Sequence, residues 1–114
     1  MIVKNKEIQF EKAGEGLKRK ILSHDRSLMI VEVHFKKGGV GTPHAHDDHE
    51  QIGYIIRGRF EVTAGDEKEI LGPGDSFYAG KKAVHGVVAL EDSVLLDIFT
   101  PQREDFLKKK VLED

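Results

Sequence analysis

The chain contains no cysteine. That excludes a disulfide framework, a thiol nucleophile and any zinc or iron–sulfur site held by thiolates. It also lacks an excess of one charge. Eighteen Lys and Arg stand against 20 Asp and Glu, for a formal net charge of −2. A broad nucleic-acid footprint needs a basic surplus, so no nucleic acid is expected as partner. No apolar run approaches the roughly 20 residues of a membrane helix, so no membrane partner is expected. The start, Met1-Ile2-Val3-Lys4-Asn5-Lys6-Glu7, has no long apolar stretch and carries an early acid, unlike a signal peptide. A cytoplasmic protein is the default expectation. Internal repeats, low-complexity tracts and linkers are missing too. The 114 residues fit one domain, of which 39% are hydrophobic and 33% charged, as in a globular protein.

What is present is concentrated. Ten of the 12 glycines lie from Gly38 to Gly86, and four of the six histidines (His44, His46, His49, His85) fall in that window. The apolar pattern has period 2. Met29, Val31, Val33 and Phe35 alternate with Ile30, Glu32 and His34; Phe60, Val62 and Ala64 alternate with Glu61 and Thr63; Leu95, Asp97 and Phe99 share one parity. Such runs predict half-buried strands. Further strands are expected at Gln51–Arg57, Lys68–Leu71, Ser76–Ala79 and Val84–Leu90. Turn signals separate them at Lys37-Gly38-Gly39, Arg57-Gly58, Ala64-Gly65-Asp66, Leu71-Gly72-Pro73-Gly74-Asp75 and Glu91-Asp92. Strands spaced near ten residues apart predict an all-β sandwich or barrel. The barrel core is expected over about residues 28–100, after an N-terminal strand over 2–10. In the tail, 101–114, Phe106, Leu107, Lys110 and Val111 stand at helical spacing, with acids early and lysines late. That predicts a short C-terminal helix, with Lys108–Lys110 on its solvated face.

The densest chemistry is Thr42-Pro43-His44-Ala45-His46-Asp47-Asp48-His49-Glu50-Gln51. On a strand, His44 and His46 share a face and form a two-tooth metal grip. A helix across His46–Glu50 is the alternative reading, but no His-Glu-x-x-His pattern supports a zincin site. Two solvated loop histidines are the bland reading of the same pair.

The wider spacing is more specific. His44-x-His46-x4-Gln51-x6-Gly58, then fifteen residues, then Gly74-Asp75-x9-His85, resembles the two signature motifs of the cupin superfamily. The resemblance runs from about Lys36 to Arg103. It implies a double-stranded β-helix, or jelly-roll, barrel over a single domain, 1–114. It also implies one divalent transition metal, Mn, Fe, Co, Ni or Zn, held by His44, His46, Gln51 and His85. Glu50 is a possible competitor for Gln51, but strand parity sends the two to opposite faces. The chain departs from the motifs at Gln51, where a glutamate is usual. It departs again at Gly80, Lys82 and Ala89, where proline, glycine and asparagine are usual. Three imidazoles and an amide leave the metal's charge uncompensated, which favours an anionic, oxygen-rich ligand.

Asp97 sits among Leu95, Leu96, Ile98 and Phe99, an expensive place for a carboxylate unless it is paired or functional. Arg103 follows Thr100-Pro101-Gln102 and is able to fold back over the barrel mouth as a bidentate carboxylate clamp. Leu96-Asp97-Ile98-Phe99-Thr100-Pro101-Gln102-Arg103, with His49-Glu50-Gln51-Ile52-Gly53-Tyr54, resembles the pectin-degradation (KdgF-like) cupins. These convert 4,5-unsaturated uronates into linear 4-deoxy-5-keto uronates. The resemblance implies a small anionic substrate, with Asp97, Phe99 and Arg103 as active-site residues. Arg103 and Phe99 would bind the sugar, Tyr78 being a further candidate contact, and the assembly would be a homodimer. His34 is expected in the barrel wall and His49 in a solvated loop. A metal-dependent dioxygenase or decarboxylase of a small acid is one alternative. A non-catalytic sugar- or small-molecule-binding cupin is another, and it would suit an Asp97 facing solvent.

Overall fold

The computed structural model describes residues 1–44 and 48–107; His46 and the Lys108–Lys110 triplet lie outside the described residues. Among the described residues, a 3-10 turn at Asn5–Glu7 precedes ten strands: β1 Glu11–Gly14, β2 Leu17–Asp25, β3 Leu28–Phe35, β4 Val40–His44, β5 Glu50–Arg57, β6 Phe60–Ala64, β7 Glu67–Leu71, β8 Ser76–Ala79, β9 His85–Ala89 and β10 Ser93–Thr100. One short helix, α1 Glu104–Leu107, follows. They form two antiparallel sheets. One has six strands in the order β1-β2-β3-β10-β5-β8, the other four in the order β4-β9-β6-β7. This is the expected all-β jelly roll.

Alternation decides which residues go inside. On β3, Met29, Val31, Val33 and Phe35 are buried while the residues between them are not. The register carries that face across the sheet, with Val33 opposite Leu95 and Leu95 opposite Ile55. Phe60 and Val62 of β6, with Val87 and Ala89 of β9, supply the facing layer. Phe35 and Phe60 meet edge to face across the two sheets, ring centroids 4.9 Å apart.

Two expectations need correction. Residues 2–10 form no strand, and pairing starts at Glu11 with a β1–β2 hairpin, so the sheet begins well before residue 28. Met1 and Ile2 stay exposed. Phe10 packs edge to face on the outward-facing His34 ring, under the ammonium groups of Lys18 and Lys20. Phe10 is thus used by side-chain contacts on the outside of the sheet, and the segment adds no strand to it.

Candidate functional site

The site grows out of strand parity. On β5 the buried residues are Gln51, Gly53 and Ile55. On β10 they include Leu95, Asp97 and Phe99. Pairing sets Phe99 opposite Gln51 and Asp97 opposite Gly53. Two polar side chains, Gln51 and Asp97, are therefore delivered to the same inner face. The Gln51 amide Nε2 donates to Asp97 Oδ1 over 2.8 Å. This fixes the amide's orientation. Its NH2 is committed to the carboxylate, and its carbonyl oxygen is the end left for a cation.

His85 opens β9 and is buried, at 5% exposure. Its ring Nδ1 lies 3.3 Å from the carbonyl oxygen of Ala83. A carbonyl only accepts, so this contact places the proton on Nδ1. Nε2 is then the ring nitrogen through which His85 would ligate a metal. His44 ends β4 directly opposite His85 in the register. Of the four expected ligands, His44 and His85 thus fall on paired strands of one sheet and Gln51 on the other sheet, while His46 lies outside the described residues. Among the described residues, no group of three or more His, Asp and Glu side chains is placed to hold a metal. The donor chemistry that is described, a Nδ1-protonated imidazole and an amide oxygen oriented by Asp97, fits a divalent transition ion.

Gln51, His85, Asp97, Phe99 and Arg103 all line one cavity of about 440 Å³. Burial pushes the Asp97 carboxyl up to about 7, against the opposing pull of the Gln51 hydrogen bond and the Arg103 charge. Arg103 is buried as well. Its fork closes on a carboxylate of its own chain, Nε donating to Asp105 Oδ1 over 3.0 Å and Nη2 to Oδ2 over 2.7 Å. That guanidinium holds the Asp105 carboxyl below the usual carboxylate range. Its Cζ also lies 5.2 Å from the Phe99 ring centroid and 4.2 Å from that of Phe106.

Tyr78 does not join this group. It is 57% exposed, and its hydroxyl donates to Glu50 Oε1 over 2.6 Å on the outside of the sheet. On β8 the inward neighbour is Phe77, which lines the cavity and lies against Gly53, where a Cβ would collide with its ring. Glu50, tied to Tyr78, faces away from Gln51, as parity demands. His34 points outward, its Nε2 2.6 Å from Glu32 Oε2. His49 is half-buried beside the Gln102 carbonyl. Among the lining residues that the sequence did not point to are Phe77 and Arg19. The available signal for Arg19 was its parity with Leu17 and Ile21.

Known proteins agree with this geometry. The cupin domain family matches residues 31–99. The pectin degradation protein KdgF of Dickeya dadantii (strain 3937) is 53% identical over 102 residues, spanning 89% of this chain and 93% of that protein. The structure of KdgF from Halomonas sp. superposes with a TM-score of 0.89 at 46% identity, covering 93% of this chain and 97% of the other. An RmlC-like cupin from Shewanella frigidimarina NCIMB 400 gives 0.88 at 37% identity, covering 92% and 94%. The chain belongs to the cupin family. Within it, the similarity to the KdgF proteins runs through nearly the whole length of both chains.

Proposed function

We propose that this cupin opens the ring of 4,5-unsaturated uronates and delivers linear 4-deoxy-5-keto uronates, as a metal-dependent step of pectin breakdown. The observation that carries the reading is the Gln51–Asp97 hydrogen bond inside a cavity that also holds His85, Phe99 and Arg103. The likeness to KdgF, named for pectin degradation, supports it. His44, His46, Gln51 and His85 would hold the metal, which supplies Lewis-acid polarisation of the sugar's oxygens when bound.

The chemistry is an isomerisation. One hydrogen leaves the anomeric hydroxyl, the bond between C1 and the ring oxygen breaks, and one hydrogen arrives at C4 as the enol becomes a ketone. Nothing else enters or leaves. One group that takes a proton and returns one is therefore enough. Asp97 is the proposed group, supported by its burial, its carboxyl raised to about 7 and its hydrogen bond from Gln51. Phe99 packs the sugar's apolar face, and Arg103 adds positive charge at the mouth. A non-catalytic binding module needs no buried carboxylate, so the inward Asp97 counts against that alternative. Gln51, in place of the usual glutamate, counts against a redox cupin.

The test follows the conjugated C4=C5 double bond by its ultraviolet absorbance in wild type and Asp97→Asn. The variant should keep its metal and lose turnover by about 10²–10⁴-fold. Full activity in the variant would refute the scheme.

The expected homodimer has support on the outer face of the six-stranded sheet. Ile30, Ile98, Ile52 and Tyr78 lie in register across four strands. Ile52 and Tyr78 are 44% and 57% exposed, and Tyr54 lies beside them. A second copy of this chain laid on that band would cover it. Light scattering should give a dimer for wild type and a monomer for Ile52→Lys.

A further inference from the structure

We propose that Arg19 is an anion-binding residue of this cavity and takes the ligand's carboxylate directly. The inference rests on the reading of the ligand as a sugar acid and names the residue that selects for its charge. Arg19 lies on β2 at a position whose parity mates, Leu17 and Ile21, pack against the hydrophobic core. It stands opposite Val33, one of the buried residues of β3. An arginine at an inward position of a barrel strand is costly unless its charge has a use. Arg19 reaches the same cavity as Gln51, Asp97 and Arg103.

Its bonding differs from that of Arg103 in a way that bears on function. The Arg103 fork is already filled by Asp105 through Nε and Nη2. Arg19 makes one hydrogen bond among the described residues, from Nε to Glu11 Oε2 over 2.8 Å. Both of its Nη groups are left over, and a planar pair of N–H donors is what a carboxylate binds most tightly. The guanidinium is also held in place. Its Cζ lies 3.8 Å from the Phe106 ring centroid, and Glu11 secures its other edge. Arg19 and Arg103 thus stack on one ring, Phe106, at the rim of one cavity. The division of work is that Arg103, locked to Asp105, anchors α1 and supplies field, while Arg19 offers the open fork.

The experiment is a pair of binding titrations on the full chain, galacturonate against its uncharged methyl ester. Wild type should prefer the acid. Arg19→Gln should bind the acid roughly tenfold to a hundredfold more weakly and leave the ester unchanged, erasing the preference. Arg19→Lys should fall between, because it keeps the charge and loses the fork. It also guards against a folding defect in the glutamine variant. Glu11→Gln should retain the preference. A preference that survives in Arg19→Gln, or equal losses for acid and ester, overturns the assignment. So does a wild type that binds both alike. Turnover of the unsaturated uronate by wild type is measured separately. Turnover without an Arg19 effect removes only this inference, whereas no turnover removes the proposed reaction while the titrations still decide the role of Arg19.

Discussion

The two ends of strand β10 bury polar side chains to a similar depth and use them differently. At its start, Ser93 is 2% exposed, and its hydroxyl is answered by backbone: it donates to the Glu91 carbonyl at 2.8 Å and accepts from the Arg59 amide at 3.0 Å. Gly58, with φ of +90°, packs so closely there that a Cβ would run into the Ser93 hydroxyl. Toward its other end, Asp97 is answered by a side chain, Gln51, and faces a cavity. The loop before His85 carries Lys82 at φ 65°, a left-handed conformation that glycine adopts freely and lysine does not. A polar group closed off by backbone serves the fold. One bonded to another side chain beside a cavity is what a ligand-binding role requires.

The largest effect expected from this contrast is on the pH dependence of stability. The Asp97 carboxyl is raised from 3.8 to about 7 in the folded state. The folded protein therefore binds the proton more tightly than the unfolded chain does. Its contribution is fully present below the unfolded value and is lost as pH rises to the folded one. Metal-stripped wild type should lose stability between pH 4 and 7, by an amount on the order of 4 kcal/mol. Urea unfolding of Asp97→Asn should show no such fall; a matching fall would place the cost elsewhere.

At the other end, Gly58→Ala should cost about 3 kcal/mol, from the left-handed backbone and the clash with Ser93. Its denaturation midpoint should drop, and a wild-type midpoint would show that the closed end is looser than its packing implies. Lys82→Gly should do the reverse and gain about 1 kcal/mol, since it relieves the positive φ. The smallest effect belongs to Asp105→Asn. Asp105 is largely exposed, so losing its pair with Arg103 should cost a few tenths of a kcal/mol above pH 5. The Asp105 carboxyl is held low in the fold, so that contribution disappears as pH falls through its folded value, and the variant and wild type should converge in acid.

The central strands were legible because their alternation is uninterrupted. Met29–Phe35, Phe60–Ala64 and Ser76–Ala79 fall within observed strands, the last two with the same bounds. The β1–β2 hairpin was hidden by its charges. Lys18, Arg19 and Lys20 interrupt the apolar signal, and the inward one of the three, Arg19, reads as a surface residue until its register with Val33 is seen. Asp97 was legible as a misfit carboxylate in an apolar strand. Tyr78 was misplaced because a four-residue strand offers too little alternation to fix its inward face, which belongs to Phe77 and Ala79. Lys82 stood out as a departure from the motif's usual glycine, and its positive φ gives that departure a physical cost. Partners were the least legible. The Arg103–Asp105 pair joins residues two apart at the start of α1, a spacing that no regular helix brings face to face.

The account turns on His44, His46, Gln51 and His85 acting as one metal centre beside Asp97. The most direct test is elemental analysis of purified wild type beside His46→Ala and His85→Ala, with folding checked by circular dichroism. The account predicts about one divalent transition ion per wild-type chain, as a four-ligand site holds, and little or none in either variant. Equal metal in all three folded proteins, or none in wild type after incubation with excess Mn, Fe, Co, Ni or Zn, would contradict it.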